Sequence, residues 1–421
     1  MPLTLYNGGI QLGFLLFLLV FFLMNTTISF VFQSNTKSYK NQDIKRQEFR
    51  TSFPWPPIKI YAYPNNSHHA DECLNPPEYP GRYQDETGFW FQRMLEPTVH
   101  HQILESPVYT NNSEEADFFY VPHYAKMCAG IDDSRWHEID TYLNSHGHYL
   151  QRYSSIDHFI MYSSPNYMDK PADRAIYTDQ APMIGVLDFK CFKMNQKIWT
   201  AARSALLPFI TLKNENYSKR LSGRDNLVYV AMSTSARGLR HKSASLRQSI
   251  QELLKDIPHS NITVIDRHSI TDFRSIILQV PNIMGQSDYC IVPPGDAPSS
   301  KRFYDAIAAL CIPILISDYF MLAFENIPVD YEQALIQIPE RGVEDLPQIL
   351  RMQTPALTEK RREYLKDVKR MMTWGYKDPP KPGEALWMLT WAIYDRHRMI
   401  EPYLNNELTG FDDDPPIPFS P

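Results

Sequence analysis

Residues 288–318 constrain the fold more than any other stretch of this chain: Asp-Tyr-Cys-Ile-Val-Pro-Pro-Gly-Asp-Ala-Pro-Ser-Ser-Lys-Arg-Phe-Tyr-Asp-Ala-Ile-Ala-Ala-Leu-Cys-Ile-Pro-Ile-Leu-Ile-Ser-Asp. Tyr289 to Val292 is a short apolar run stopped by Pro293, Pro294 and Gly295. Ser299 and Ser300 are good N-caps for a helix that puts Phe303, Ile307 and Leu310 on one face. Cys311 to Ile316 is a second continuous apolar run, of the kind that strands buried on both faces show. Strand, polar loop, helix and strand in about thirty residues predict a parallel α/β sheet. The loop after such a strand, leading into a helix N-terminus, is where open α/β sheets hold phosphorylated ligands. Lys301 and Arg302 place fixed positive charge at that point.

The same alternation runs through the rest of the chain. Strands are expected at Ile58–Tyr63, Asp117–Val121 and Asp157–Tyr162, with helices at Gly88–Leu104 and Arg135–Tyr153 between them. Residues 165–212 hold short apolar pieces broken by prolines and give no clear element. A second series then begins: strand Leu227–Met232, helix Ala244–Leu254, strand Ile262–Asp266, the 288–318 unit, strand Ala334–Ile338, a basic amphipathic helix Thr358–Met372 and a last helix Ala385–Met399. This reading predicts an N-terminal lobe over 55–212, a connection at 213–225, a C-terminal lobe over 226–380, a closing helix at 381–402 and a tail at 403–421.

Residues 9–32 carry no charge and reach the length of a membrane span, behind a short tail at 1–8. No small-residue cleavage site is evident after it, so an uncleaved signal anchor is expected, with a polar stem at 33–54. Two signals oppose one another on orientation. Lys37, Lys40, Lys45, Arg46 and Arg50 all lie after the span, which by the positive-inside rule favours a cytoplasmic C-terminal part. Asn65, Asn111, Asn216 and Asn261 head downstream glycosylation triplets, which favour a lumenal one. The five cysteines, at 73, 128, 191, 290 and 311, show no close Cys-x-x-Cys spacing, so a metal or redox centre is not indicated. Cys290 and Cys311 read as small buried hydrophobes on core strands. A net charge of −6 argues against a nucleic-acid partner.

The 288–318 stretch resembles the exostosin-type glycosyltransferases through its Cys-x-x-Pro-x-Gly-Asp, Ser-x-Arg-x-x-Asp-Ala-Ile and Cys-Ile-Pro-Ile-Leu-Ile-Ser-Asp elements. Ala116-Asp-Phe-Phe-Tyr-Val-Pro-His-Tyr-Ala125 is similar to an element of that family's first lobe. Gln151-Arg-Tyr-Ser-Ser-Ile-Asp-His-Phe159 matches a second one at Arg152, Asp157, His158 and Phe159, but has Ser154, Ser155 and Ile156 where the family has Gly-Gly-Arg. Tyr229 to Arg247 occupies the place of a Phe-Phe-x-Gly…Arg segment. The resemblance covers residues 58–350, and identifies the chain as a divergent member. It implies two Rossmann-like lobes in the GT-B arrangement, with the last helix crossing back to the first lobe. It further implies an inverting transferase that moves a sugar from a UDP-type donor to a glycan or polysaccharide acceptor. The compartment expected is the Golgi membrane, with single-pass type II topology and a lumenal catalytic domain, and partners include other transferases.

Such a transfer needs a base for the acceptor hydroxyl and stabilisation of the departing diphosphate. Gly295, Ser299, Ser300 and Arg302 suit the second task. Asp305, one turn beyond Arg302, is placed to reach a ribose hydroxyl or to form a local ion pair with Arg302. Glu325 is expected near the donor sugar or as a turn cap. The candidate bases are Asp157, His158 and His123, against which stands the ordinary structural role of a histidine beside an apolar strand. Asp412 to Asp414 gives the Asp-x-Asp match of the chain, inside an acidic tail, so donor binding is expected to need no metal and no cofactor beyond the UDP-sugar substrate itself. The competing expectation is a catalytically impaired, transferase-like chain that binds carbohydrate or stabilises a complex, and the drifted 151–159 loop favours it. No carboxylate pair stands out for a hydrolase.

Overall fold

The computed structural model describes residues 54–64, 94–122, 124, 149, 156–163, 183–187, 204–211, 223–233, 240–265, 273–295, 298–324, 331–375 and 378–404. The expected membrane span, the stem apart from Pro54, the 135–153 helix apart from Tyr149, and the acidic run of the tail lie outside these residues. No described helix is long and apolar enough to cross a membrane.

The first lobe holds β1 (Ile60–Ala62), α1 (Leu95–Leu104), β2 (Tyr109–Thr110), β3 (Phe118–Val121), β4 (His158–Tyr162), β5 (Met183–Val186) and β6 (Ser204–Leu206). Its strands form one parallel sheet in the order β2-β1-β3-β4-β5-β6. All four residues of β3 are buried, as expected of a central parallel strand covered on both faces. Strands β5 and β6 fall in the region that gave no sequence signal. Gly185, in the middle of β5, explains part of this, because a glycine weakens the strand pattern. It is required there: a Cβ on Gly185 would meet Leu207 Cδ1 and Phe159 Cζ at 2.9 Å and collide with Met161 Sδ.

The second lobe runs β7 (Asn226–Met232), α2 (Arg240–Lys255), β8 (Ser260–Val264), α3 (Phe273–Gly285), β9 (Ser287–Val292), α4 (Lys301–Ala308), β10 (Ile312–Ile316), α5 (Tyr331–Ala334), β11 (Ile336–Ile338), α6 (Leu346–Arg351), α7 (Pro355–Met371) and α8 (Ala385–Leu404). Its parallel sheet has the order β11-β10-β9-β7-β8. Helix α3 escaped the sequence reading because Pro281 sits inside it. Burial of Val280 and Met284 against β7, β9 and α4 holds that helix despite the lost hydrogen bond. Ala334, expected to open the last strand, instead closes α5, and β11 starts at Ile336. Cys290 and Cys311 are fully buried, as expected, but they are joined in a disulfide with Cα atoms 5.7 Å apart. Leu310, at φ 54, makes the left-handed turn from α4 that returns Cys311 beside β9.

The two lobes meet along several contacts. Helix α8 packs on α1 of the first lobe, the crossing that the resemblance implied. Trp387 Nε1 donates to Pro54 O at 3.2 Å, and Trp374 Nε1 donates to Pro208 O at 3.0 Å. Phe324 N donates to Leu206 O at 3.4 Å, and the rings of Phe209 and Tyr304 lie 5.6 Å apart. The last two contacts join the segments after β10 and β9 to the end of β6. The second lobe's segments beyond its strand ends therefore approach the first lobe at the carboxyl end of β6.

Candidate active site

In each sheet the chain reverses its winding once, and ligands of open α/β sheets sit outside the carboxyl ends of the strands at that reversal. In the second lobe the reversal lies between β7 and β9, as the strand order requires. The two walls of that crevice are tied together by Arg247 of α2, which is 8% exposed. Its Nη1 donates to Ser233 O, after β7, at 2.6 Å, and its Nη2 to Pro294 O, after β9, at 2.5 Å. A buried guanidinium shared by two carbonyls fixes the spacing of both loops. In the sequence, Arg247 stood out only as part of a family resemblance; its bridging role needed the fold.

The loop after β9 delivers the remaining donor-side candidates to one place. Gly295 is half-buried at the turn, Ser299 is buried, and Ser300 caps α4 by accepting from Arg302 N at 3.3 Å. This is the helix start predicted from the serine pair. Arg302 Nη1 donates to Asp305 Oδ2 at 3.0 Å, and Lys301 Nζ donates to Asp305 Oδ1. The Asp305 side chain is only 3% exposed, whereas Lys301 and Arg302 are 25% and 19% exposed. The local ion pair set beside the ribose role is thus the arrangement found, extended to a second cation. Net positive charge remains at the amino end of α4, where the helix dipole adds to it. Beneath it, burial raises the pKa of Tyr229, opposed by its hydrogen bond to Thr263 at 2.9 Å and by the Arg302 charge. Phe303 and Phe320, 4.9 Å apart, pack α4 against the segment after β10. Ser317, the first residue beyond β10, is 1% exposed, and its hydroxyl has no hydrogen-bond partner among the described residues. Glu325 lies outside the described residues.

The first sheet reverses between β1 and β3, so its crevice is walled by Tyr63 and Pro64 on one side and by Pro122 and Tyr124 on the other. His123, between Pro122 and Tyr124 in the sequence, lies outside the described residues. Two residues that the sequence reading missed bind the rim of this sheet from α1. Glu96, fully buried, accepts from Ser163 N at 2.8 Å and Ser163 Oγ at 2.9 Å, just past the end of β4. One turn on, His100 Nδ1 is 2.6 Å from Tyr124 Oη. Burial holds the His100 pKa down at about 4, so the ring is neutral at neutral pH. Tyr124 has φ 42, a left-handed conformation uncommon for a bulky residue. The available signal was a Glu and a His at i, i+4 on an otherwise apolar helix face.

Asp157 and His158 do not belong to this rim. His158 opens β4 at its amino end. Its Nδ1 pairs with Asp157 Oδ1 at 2.7 Å and its Nε2 with Tyr63 Oη at 3.0 Å. Phe119 stacks on the ring at 4.9 Å, and both Asp157 and His158 are 0% exposed. A base must reach the acceptor hydroxyl, and neither side chain has an open face with which to do so. The structural role weighed against catalysis is the one this geometry supports.

Comparison with known proteins gives the family. The exostosin GT47 domain profile matches residues 54–353. The probable arabinosyltransferase ARAD1 of Arabidopsis thaliana is 22% identical over 325 residues, covering 74% of this chain and 69% of its own length. The probable glucuronosyltransferase 47 A of Physcomitrium patens is 25% identical over 315 residues, covering 69% of this chain and 66% of its own. Exostosin-1 of Drosophila melanogaster is 39% identical over a segment of 69 residues, 16% of this chain and 9% of that protein. Among solved structures, Arabidopsis thaliana UGT89C1 complexed with UDP-L-rhamnose aligns over 82% of this chain and 84% of that one, with 10% identity and a TM-score of 0.30. With the signature residues gathered at the second-lobe crevice and the family profile spanning both lobes, the chain belongs to the exostosin GT47 family of glycosyltransferases.

Proposed function

We propose that this chain transfers a sugar, with inversion, from a UDP-type donor to a glycan or polysaccharide acceptor. The observation that carries the reading is the cationic start of α4 at the β7/β9 reversal, with Lys301 and Arg302 held at its rim and Arg247 fixing its walls. The acceptor oxygen attacks the anomeric carbon while the bond to the diphosphate breaks. The charge left on the diphosphate is met by Arg302, Ser299, Ser300 and the first amides of α4 rather than by a metal ion. The acceptor enters from the first lobe, and His123, between Pro122 and Tyr124 in the sequence, is the base we favour. Glu325 is assigned to the donor sugar.

We assign the catalytic unit to the lumen of the Golgi as a type II membrane protein anchored by residues 9–32. A buried disulfide between Cys290 and Cys311 supports this, since such bonds persist in oxidising compartments. So does Asn111, which is exposed in a turn and heads a glycosylation triplet. A second reading, a subunit with impaired catalysis that binds carbohydrate or supports other transferases, is favoured by Ser154, Ser155 and Ile156 in the drifted loop. A panel of nucleotides in thermal unfolding, with subsequent transfer assays using UDP-sugars, separates the two. Stabilisation by UDP with turnover supports the enzyme, stabilisation without turnover supports the subunit, and no stabilisation by any nucleotide rejects the donor site.

A further inference from the structure

The Asp305 carboxylate is nearly buried and each of its oxygens has a different cation. Lys301 Nζ occupies Oδ1, and Arg302 reaches Oδ2 through Nη1 alone. Among the described residues, Asp305 is the hydrogen-bond partner of the Arg302 guanidinium. A carboxylate free at both oxygens takes an arginine in a two-pronged pair, which uses one whole edge of the guanidinium. Lys301 occupies one of those two oxygens. Resting on the donor-site reading above, we propose that Lys301 is a positioning residue: it keeps Arg302 singly bound to Asp305, so that an edge of the guanidinium stays open for the donor diphosphate. Lys301 itself is attached at i, i+4 along α4 and keeps the buried charge compensated when Arg302 turns to the phosphates.

A double variant provides the decisive comparison. In Lys301→Met, Asp305 is free to take Arg302 by both oxygens, and the affinity for UDP should fall about tenfold. Lys301→Arg should hold binding within about threefold, because it again fills Oδ1. In Lys301→Met with Asp305→Asn, the pair that captures Arg302 is gone, and UDP affinity should recover most of the loss. Titration of the purified full-length chain with UDP by calorimetry reads all three, with Arg302→Ala as the variant lacking the guanidinium. Repetition at about 0.5 M salt separates capture from a simple loss of charge: a partly buried pair is screened little, whereas an exposed through-space attraction is lost. Lys301→Met binding UDP as tightly as the unaltered chain would overturn the inference alone. So would a double variant no better than the single one, or a defect that disappears at high salt. An unaltered chain that binds no nucleotide diphosphate would overturn the donor-site reading, and this inference with it.

Discussion

Arg302 and His100 show how far a single side chain can be read once its neighbours are known. Arg302 is partly exposed, sits at the capped start of α4, and is restrained by one bond to a buried carboxylate. If it neutralises the departing diphosphate, Arg302→Ala should lower transfer by roughly two to three orders of magnitude, the usual loss when one such group is removed, with little change in the melting temperature. Activity within a few-fold of the unaltered chain would remove the assignment. His100 makes a different prediction, about pH. Its folded pKa of about 4 lies below the ordinary value of 6.5, so between those values the unfolded chain binds the extra proton. Stability contributed by the neutral ring is therefore complete above about pH 6.5 and is lost as pH falls toward 4. The full effect is of order 3 kcal/mol. Denaturant unfolding of the unaltered chain and of His100→Gln between pH 7 and 4 should show the steeper loss in the former; equal slopes would mean that His100 is not the titrating group.

At the level of elements, the second lobe was legible because its strands are unbroken apolar runs and its key helix has a serine cap. β7, β9 and β10 appear within a few residues of their expected bounds. The misses share a cause, which is that local propensity was overridden by packing. Gly185 interrupts β5 and Pro281 interrupts α3, yet both elements form because neighbours cover them. The candidate site divided along the same line. Ser300, Arg302 and Asp305 lie close in sequence and were found together, whereas the loop-bridging role of Arg247 and the rim contacts of Glu96 and His100 depend on pairs 14 to 67 residues apart. The burial of Asp157 and His158 at the start of β4 was not legible either, since a motif shows neither which end of a strand faces the crevice nor how deep it lies. These contacts lead to two element-scale outcomes. Gly185→Val should overpack the sheet between Met161, Leu207 and Phe159, lowering stability by about 1–3 kcal/mol in thermal unfolding. Cys290→Ala with Cys311→Ala opens a loop of sequence separation 21, which should cost about 3 kcal/mol and leave UDP binding in place when measured well below the new midpoint.

The whole molecule raises the question of what makes two parallel sheets behave as one enzyme. Among the described residues the lobes share no strand, so their coupling rests on the carboxyl-edge contacts and on the segment from Met372 to Leu404. Trp374 is 5% exposed and bonds through Nε1 to Pro208 O, two residues past β6. Gly375, next in the chain, lies so tightly against Gln102 of α1 that a Cβ there would be 2.5 Å from Gln102 Nε2. This places a loop of the second lobe inside the first, immediately before α8 lies across α1. Removing the Trp374 side chain therefore takes away a large buried ring and an inter-lobe hydrogen bond while leaving each sheet intact. Trp374→Ala should cost about 3–5 kcal/mol in total, as for other buried aromatics. The more telling outcome concerns cooperativity. In the unaltered chain UDP should raise a single calorimetric transition, because ligand bound to one lobe stabilises everything coupled to it. In Trp374→Ala the transition should split, with UDP raising only the part that belongs to residues 226–380. A single transition that shifts as a whole in that variant would show that α8 and the Phe209–Tyr304 contact suffice to couple the lobes, and Trp374 would then be one more buried ring rather than the joint between the two lobes.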